Sequence, residues 1–356
     1  MESEMNTLGK KIRLWCVGLL LSSSFLAVTA YSQMPPGGIP HPQGYVALRA
    51  EHPPVIDGNL DDEAWQRAQW TRDFQDIEGT LKPTPRFRTR AKMTWDDRYL
   101  YIGAEIQEPH VWATLTKRDT VIFFDNDFEI FVDPNGDNRE YYEFEMNALN
   151  TVWDLLLPWP YRDLGNPLDA WDIRGLKTGV AIHGTLNNFA DHDTSWTVEI
   201  AMPWMSLGEF AHQPIPPNDG DQWRINFSRV EWKVDDHGRK LPATPEDNWV
   251  WSPQWVVDMH QPEMWGYVQL STKTEGHVAF RPDPSWPCRL ALYSVYKAEK
   301  KYFERHGVYA DSVEALDVDV STWTCIPMIR LNGYGYTAGI QFGNSGIHMD
   351  QSSRIW

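Results

Sequence analysis

Cysteine, positive charge and long apolar runs are all scarce in this sequence. Three cysteines in 356 residues are too few for a disulfide-framework scaffold, and their spacing suits no zinc site. Lysine and arginine number 32 against 49 aspartate and glutamate, a net charge of −17. Gripping a phosphate backbone needs a cationic face, so nucleic acid is excluded as a partner and a neutral or cationic ligand is favoured. Past the N-terminal segment, no stretch is apolar enough to span a bilayer. Also missing are an HExxH pair, a serine nucleophile elbow, a phosphate loop and a dinucleotide fingerprint. Glycoside hydrolysis needs two positioned carboxylates, but among 49 acidic residues a pair carries no information. The expectation is a non-catalytic protein.

The N-terminus carries an address. Lys10, Lys11 and Arg13 precede an apolar stretch over 14–28 that is interrupted by Ser22, Ser23 and Ser24. Ala30 and Ser32 then place small residues two apart, so residues 1–32 read as a secretory signal cleaved before Gln33. The mature chain is expected to be secreted, periplasmic or at the cell surface, with no transmembrane segment. Residues 33–44, rich in proline and glycine, read as a flexible lead-in. Two cysteines lie beyond the signal, Cys288 and Cys325, and export favours their pairing as a disulfide.

Tryptophan is abundant, at 19 residues. Aromatic rings stack well on the C–H faces of sugars while polar groups hold the rim. Period-two alternation predicts strands at 87–93, 99–106, 128–132, 140–146, 151–157, 176–183, 195–202, 223–232, 249–251 and 266–270. Asp57-Gly58 marks a turn, and Asp61 is placed to cap a short helix that turns Trp65 inward. Many short strands with turn signals predict an all-β sandwich or jelly roll over 45–272. The tail differs. Leu292, Val295, Tyr296 and Phe303 fall at helical spacing before Gly307, and Asp311 with Glu314 suits the capping box of a second short helix. Residues 322–331 and 334–342 read as strands, so 285–356 is expected to be a small α+β unit.

Three stretches carry a family resemblance: Ile56-Asp57-Gly58-Asn59-Leu60-Asp61-Asp62-Glu63-Ala64-Trp65, Asp127-Phe128-Glu129-Ile130-Phe131-Val132-Asp133, and Trp196-Thr197-Val198-Glu199-Ile200-Ala201-Met202-Pro203-Trp204. In this order they resemble the family 9 carbohydrate-binding modules of the DOMON-like superfamily, over about residues 45–271. The resemblance implies an immunoglobulin-like β-sandwich that binds a mono- or oligosaccharide and holds a structural calcium ion. It implies service in polysaccharide breakdown or uptake, alone or as an accessory subunit of a glycoside hydrolase. It also carries over site residues. Glu129 matches an acidic ligand contact, and Glu145 stands where an arginine contact is expected. Phe123 takes the place of one clamping tryptophan, and Trp255, with Trp251 near it, matches the other.

Alternation adds polar candidates on neighbouring strands: Asn147 beside Glu145, then Asn226, Arg229 and Glu231. It puts Asn226 and Ser228 on one face of their strand and Arg229 and Glu231 on the other. Asp133, Asn135 and Asp137 repeat like the opening of a calcium loop, but the twelfth position is Phe144 rather than glutamate. Asn135-Gly136 between two strands is equally a hairpin turn. Haem-binding relatives within the superfamily keep a second function open, electron transfer, with Met146 and His260 as axial ligands.

Overall fold

A computed structural model describes residues 38–356 except 236, 242 and 243. The expected signal, 1–32, and the first part of the lead-in lie outside the described residues.

The first strands in chain order are β1 (Gly44–Arg49), β2 (Gln75–Asp76), β3 (Thr89–Trp95), β4 (Tyr99–Gln107), β5 (Asp127–Asp133) and β6 (Tyr141–Asn147). Then come β7 (Val152–Leu157), β8 (Lys177–His183), β9 (Ser195–Pro203), β10 (Gln222–Glu231), β11 (Asp247–Val250) and β12 (Gly266–Ser271). They form one hydrogen-bonded sheet with the path β7-β6-β5-β10-β12-β1-β3-β4-β9-β8; β11 joins β10, and β2 joins β11. Pairing is antiparallel except at β1, which runs parallel to both β12 and β3. The sheet folds over at β1. Phe128 and Ile130 of β5, Phe144 and Met146 of β6, and Phe227 of β10 then share one core with Ile102 of β4 and Val198 and Ile200 of β9. Two layers closed on alternating apolar residues make a β-sandwich. The ten predicted strands are present, with ends shifted by a residue or two. The parallel joint β1 and the two-residue β2 had no alternation signal of their own.

The turn at Asp57-Gly58 leads to helix α1 (Glu63–Arg67). Asp62, rather than Asp61, is its N-cap residue, and it makes no side-chain capping bond. Its carboxylate accepts the Val55 N–H at 2.8 Å. Trp65 is fully buried. A second short helix, α2 (Trp204–Leu207), closes β9.

The tail builds helix α3 (Trp286–His306), which Gly307 ends with φ +71°. It packs on a three-stranded sheet, β13 (Met328–Asn332), β14 (Gly335–Phe342) and β15 (Ser345–Asp350). Leu292, Val295 and Tyr296 enter that core. Phe303 does not; it stays on the surface, stacked on Tyr309 at 4.6 Å. The expected second helix is only a 3-10 turn, Val313–Ala315, after an N-cap residue, Ser312, that makes no side-chain bond. β13 begins at Met328 rather than 322, and β15 lacked a sequence signal. Cys288 of α3 and Cys325 are joined as a disulfide, with Cα atoms 5.1 Å apart. Tail and sandwich also touch through polar groups. Arg162 donates to the Tyr293 hydroxyl at 3.0 Å, and Lys300 donates to Asp163 at 2.9 Å.

Candidate functional site

Period-two alternation divides β5 cleanly. Phe128, Ile130 and Val132 enter the core, so Asp127, Glu129, Phe131 and Asp133 face the other side of the sheet. On β6, Tyr142, Phe144 and Met146 enter the core, and Tyr141, Glu143, Glu145 and Asn147 face outward with them. The register sets Glu129 directly across from Glu145 on β6 and from Ser228 on β10. Glu145 in turn lies across from Trp153 on β7, and Glu143 lies between Phe131 and Leu155. Four carboxyl groups, Asp127, Glu129, Glu143 and Glu145, therefore crowd one patch, all of them buried. Burial holds all four above the ordinary carboxylate range, and neighbouring carboxylates push the same way. Glu129 is pushed up to about 7. Among the described residues, none of the four has a lysine or arginine ion pair. The rim is aromatic. Trp153 is half-buried, Phe123 is half-buried, and Phe124 is exposed with its ring 5.0 Å from that of Phe123.

The candidate residues named from sequence separate into groups. Glu129 and Glu145 meet, with Phe123 at their edge. Glu145 also fixes the turn before β5, accepting the Ile122 and Phe123 N–H groups at 3.1 Å each. Asn147 is committed to structure: it donates to the Leu115 carbonyl and Asp125 and accepts from the Leu149 and Thr151 N–H groups. Asn226 is likewise used, exchanging hydrogen bonds with the Ser252 backbone at 2.9 Å.

Arg229 and Glu231 are on the opposite face of β10 from Ser228. Arg229 is fully buried and donates to Glu108 at 2.7 Å and Glu231 at 2.8 Å. Asn126 donates to the same Glu231 oxygen at 2.9 Å. This is an internal charge network on the core side of β10 and does not belong to the Glu129 patch.

Trp255, matched to a clamp position, and Trp251 near it are both packed into the protein. Trp251 lies in the main core, against Phe227 and over Gly266. Trp255, at φ +64°, is 8% exposed and packs with Ile39, Met264 and Trp286 of α3. Its ring also covers Gly79, where any Cβ would come within 2.6 Å of it. Both indoles thus sit among protein side chains rather than at the surface. Trp153, Asp127 and Glu143 were overlooked. Alternation on β6 and β7 could have found Glu143 and Trp153. Asp127 follows Asp125 and Asn126 in a polar run that carries no alternation, yet it begins β5.

The side chains of the Asp133–Asp137 turn are held by local hydrogen bonds. Asp133 accepts the Gly136 and Asn138 N–H groups at 2.9 Å each, Asn135 accepts from Asp137, and Asp137 accepts from Arg139 and faces Arg354. The segment is a hydrogen-bonded turn. Two other acidic groups have cation-sized spacing: Asp119 with Asp154 and Asp172, and Asp127 with Glu129 and Glu145. The first already holds a cation, the Arg118 guanidinium, paired with all three. The haem pairing also fails geometrically. Met146 points into the core, whereas His260 lies on the other side of the sheet, 3.0 Å from the Tyr141 hydroxyl and edge-on to Phe131.

Residues 56–273 match the family described as carbohydrate family 9 binding domain-like. An exoglucanase, XynX, of Acetivibrio thermocellus is 26% identical over 50% of this chain and 14% of its own length. An endo-1,4-beta-xylanase A of Thermoanaerobacterium saccharolyticum is 27% identical over 52% of this chain and 13% of its own. The chain thus spans a small part of the relatives it matches. A family 9 carbohydrate-binding module from Caldicellulosiruptor kristjanssonii, solved with cellotriose, aligns over 68% of this chain and 100% of that one at 18% identity, with a TM-score of 0.42.

Proposed function

The chain belongs to the carbohydrate family 9 binding domain-like family, and from that premise we propose that it is an exported, non-catalytic protein that binds carbohydrate on the outer face of β5, β6 and β7. The observation that carries the location is the row Ser228–Glu129–Glu145–Trp153 across four paired strands. A half-buried indole supplies the flat apolar surface that a pyranose ring stacks on. The neighbouring carboxyl groups supply acceptors and donors for its hydroxyls. Phe123 and Phe124 stand at the edge of the same patch and can close over the second face of the ring. Export is supported by the basic and apolar residues that open the sequence; the mature protein is expected to begin near Gln33. Service beside polysaccharide-degrading enzymes is the reading that the similarity to parts of an exoglucanase and a xylanase supports.

The test is calorimetric titration of the full chain with glucose, cello-oligosaccharides and xylo-oligosaccharides. The reading expects saturable binding of at least one of these, weakened by Trp153→Ala and by Glu129→Ala. A chain that binds none of them overturns it.

A further inference from the structure

The tail lies beyond the matched residues 56–273, and its small sheet has two unlike faces. Tyr336, Ala338 and Ile340 of β14, with Ile347 and Met349 of β15, share a core with α3. By alternation, Met328 and Arg330 of β13, Thr337, Gly339 and Gln341 of β14, and Gly346 and His348 of β15 lie on the other face. Register aligns that face: Met328 pairs with Gly339, and Gly339 with His348. His348 and Trp356 exchange backbone hydrogen bonds at 2.9 and 3.0 Å, so their side chains stand on the same side. The row Met328–Gly339–His348–Trp356 thus crosses four chain segments.

Glycines decide the shape of this row. A Cβ at Gly339 would come within 2.7 Å of His348 Nδ1, and one at Gly346 within 2.6 Å of His348 Nε2. The imidazole therefore lies across both glycines instead of standing up from the sheet. The Trp356 ring follows it, 5.7 Å away between centroids and tilted by 30°. Trp356 is 52% exposed and Met328 is 65% exposed. Together they make a low platform of two aromatic rings and a thioether on a paired backbone. Leaving so much apolar surface in water forgoes free energy that a covering ligand would recover.

We propose that this face of the tail binds an extended, neutral polysaccharide chain as a second carbohydrate site. Nearly aligned rings offer stacking surface to the C–H faces of successive pyranose units. With strands about 4.8 Å apart, the row is about 14 Å long, which suits a polymer rather than a single sugar. Arg330 and Thr337, paired in the next row, supply donors and an acceptor for hydroxyls. The ligand is neutral because the face is balanced within a chain of net charge −17: the aromatic row holds no carboxylate, and the adjacent row sets Arg330 and Asp350 on either side of Thr337. The class of ligand rests on the carbohydrate chemistry of the family, but the site does not rest on the outer face of β5, β6 and β7. Two sites on one chain would raise retention on a repetitive polymer above that of either alone.

The test measures retention of the full chain on insoluble cellulose and insoluble xylan. It compares the parent, Trp356→Ala, His348→Ala, Trp153→Ala and the double variant Trp153→Ala with Trp356→Ala. Melting curves check folding, and sedimentation velocity reads self-association. The proposal expects Trp356→Ala to weaken retention on at least one polymer by about tenfold, in the parent and again in the Trp153→Ala background. Parent-like retention by folded Trp356→Ala and His348→Ala, with Trp153→Ala weakened, overturns the tail site and leaves the sandwich site standing. Weakening by Trp356→Ala with parent-like retention by Trp153→Ala upholds the tail site and overturns the sandwich site. A parent retained on neither polymer overturns the tail site, whatever soluble sugars the sandwich binds. Self-association of the parent that Trp356→Ala abolishes, with retention unchanged, makes the face an interface between copies and also overturns it.

Discussion

The indole N–H of Trp65 donates to Glu199 at 2.6 Å, and the other oxygen of the same carboxylate accepts the Asp57 and Gly58 N–H groups at 2.7 Å each. Two of the three family-like stretches are thereby joined through one buried side chain, far along the sequence from each other. Gly58 leaves no room for anything larger, since a Cβ there would meet the Val180 backbone at 2.3 Å. Glu199→Ala leaves the buried Trp65 indole N–H and the Gly58 N–H without this partner. The expected loss is about 3 kcal/mol or more, read by denaturant titration.

The carboxyl patch makes the protein's stability pH-sensitive. Glu129 is displaced from 4.5 to about 7 in the folded chain, so the folded state holds its proton more tightly than the unfolded state does. Stability from this group is fully present below the ordinary glutamate value and is lost as pH rises from there through about 7. Asp127, Glu143 and Glu145 are displaced in the same direction. Glu129→Gln is therefore expected to raise the unfolding free energy at pH 8, by on the order of 3 kcal/mol, and to change it little at pH 4. Melting curves across pH check this; a variant less stable than the parent at pH 8 contradicts it.

Trp255 braces the sandwich against the tail, between Gly79 and Trp286. Trp255→Ala is expected to cost about 3–5 kcal/mol through the cavity it leaves. Carbohydrate affinity of the folded fraction should remain that of the parent. Thermal melting paired with calorimetry separates these two effects.

The Cys288–Cys325 bond closes a loop over a sequence separation of 37 residues. Its reduction is expected to cost the tail about 2–4 kcal/mol. Limited proteolysis under reducing conditions should cut first after α3, while the sandwich and its carbohydrate affinity persist.

Sandwich and tail were both legible because alternation and helical spacing record which side of an element is buried. Leu100, Ile102, Ala104 and Ile106 on β4 gave that signal directly. β1 escaped because its parallel pairing to β12 and β3 is a property of distant partners. The patch was only half legible. Alternation put Glu145 outward, but nothing local said that Ser228, Glu129, Glu145 and Trp153 would align in one row. The tryptophans were the weakest guide. A stacking tryptophan and a packed one have the same sequence, and Trp251, Trp255 and Trp265 are all buried by contacts remote in the chain. Arg229 and Glu231 resemble a ligand-binding pair until Glu108, from the end of β4, completes their network.

The most direct test of a carbohydrate-binding outer face compares parent and Trp153→Ala by calorimetry against the best-bound oligosaccharide, with melting points measured on the same samples. Trp153 is half-buried and only borders the cluster of Phe131, Leu155 and Trp265, so its removal should lower stability little. The account predicts a loss of about 2 kcal/mol in binding, roughly thirtyfold in affinity, in a protein that remains folded. A folded Trp153→Ala chain that binds the oligosaccharide as tightly as the parent would contradict it.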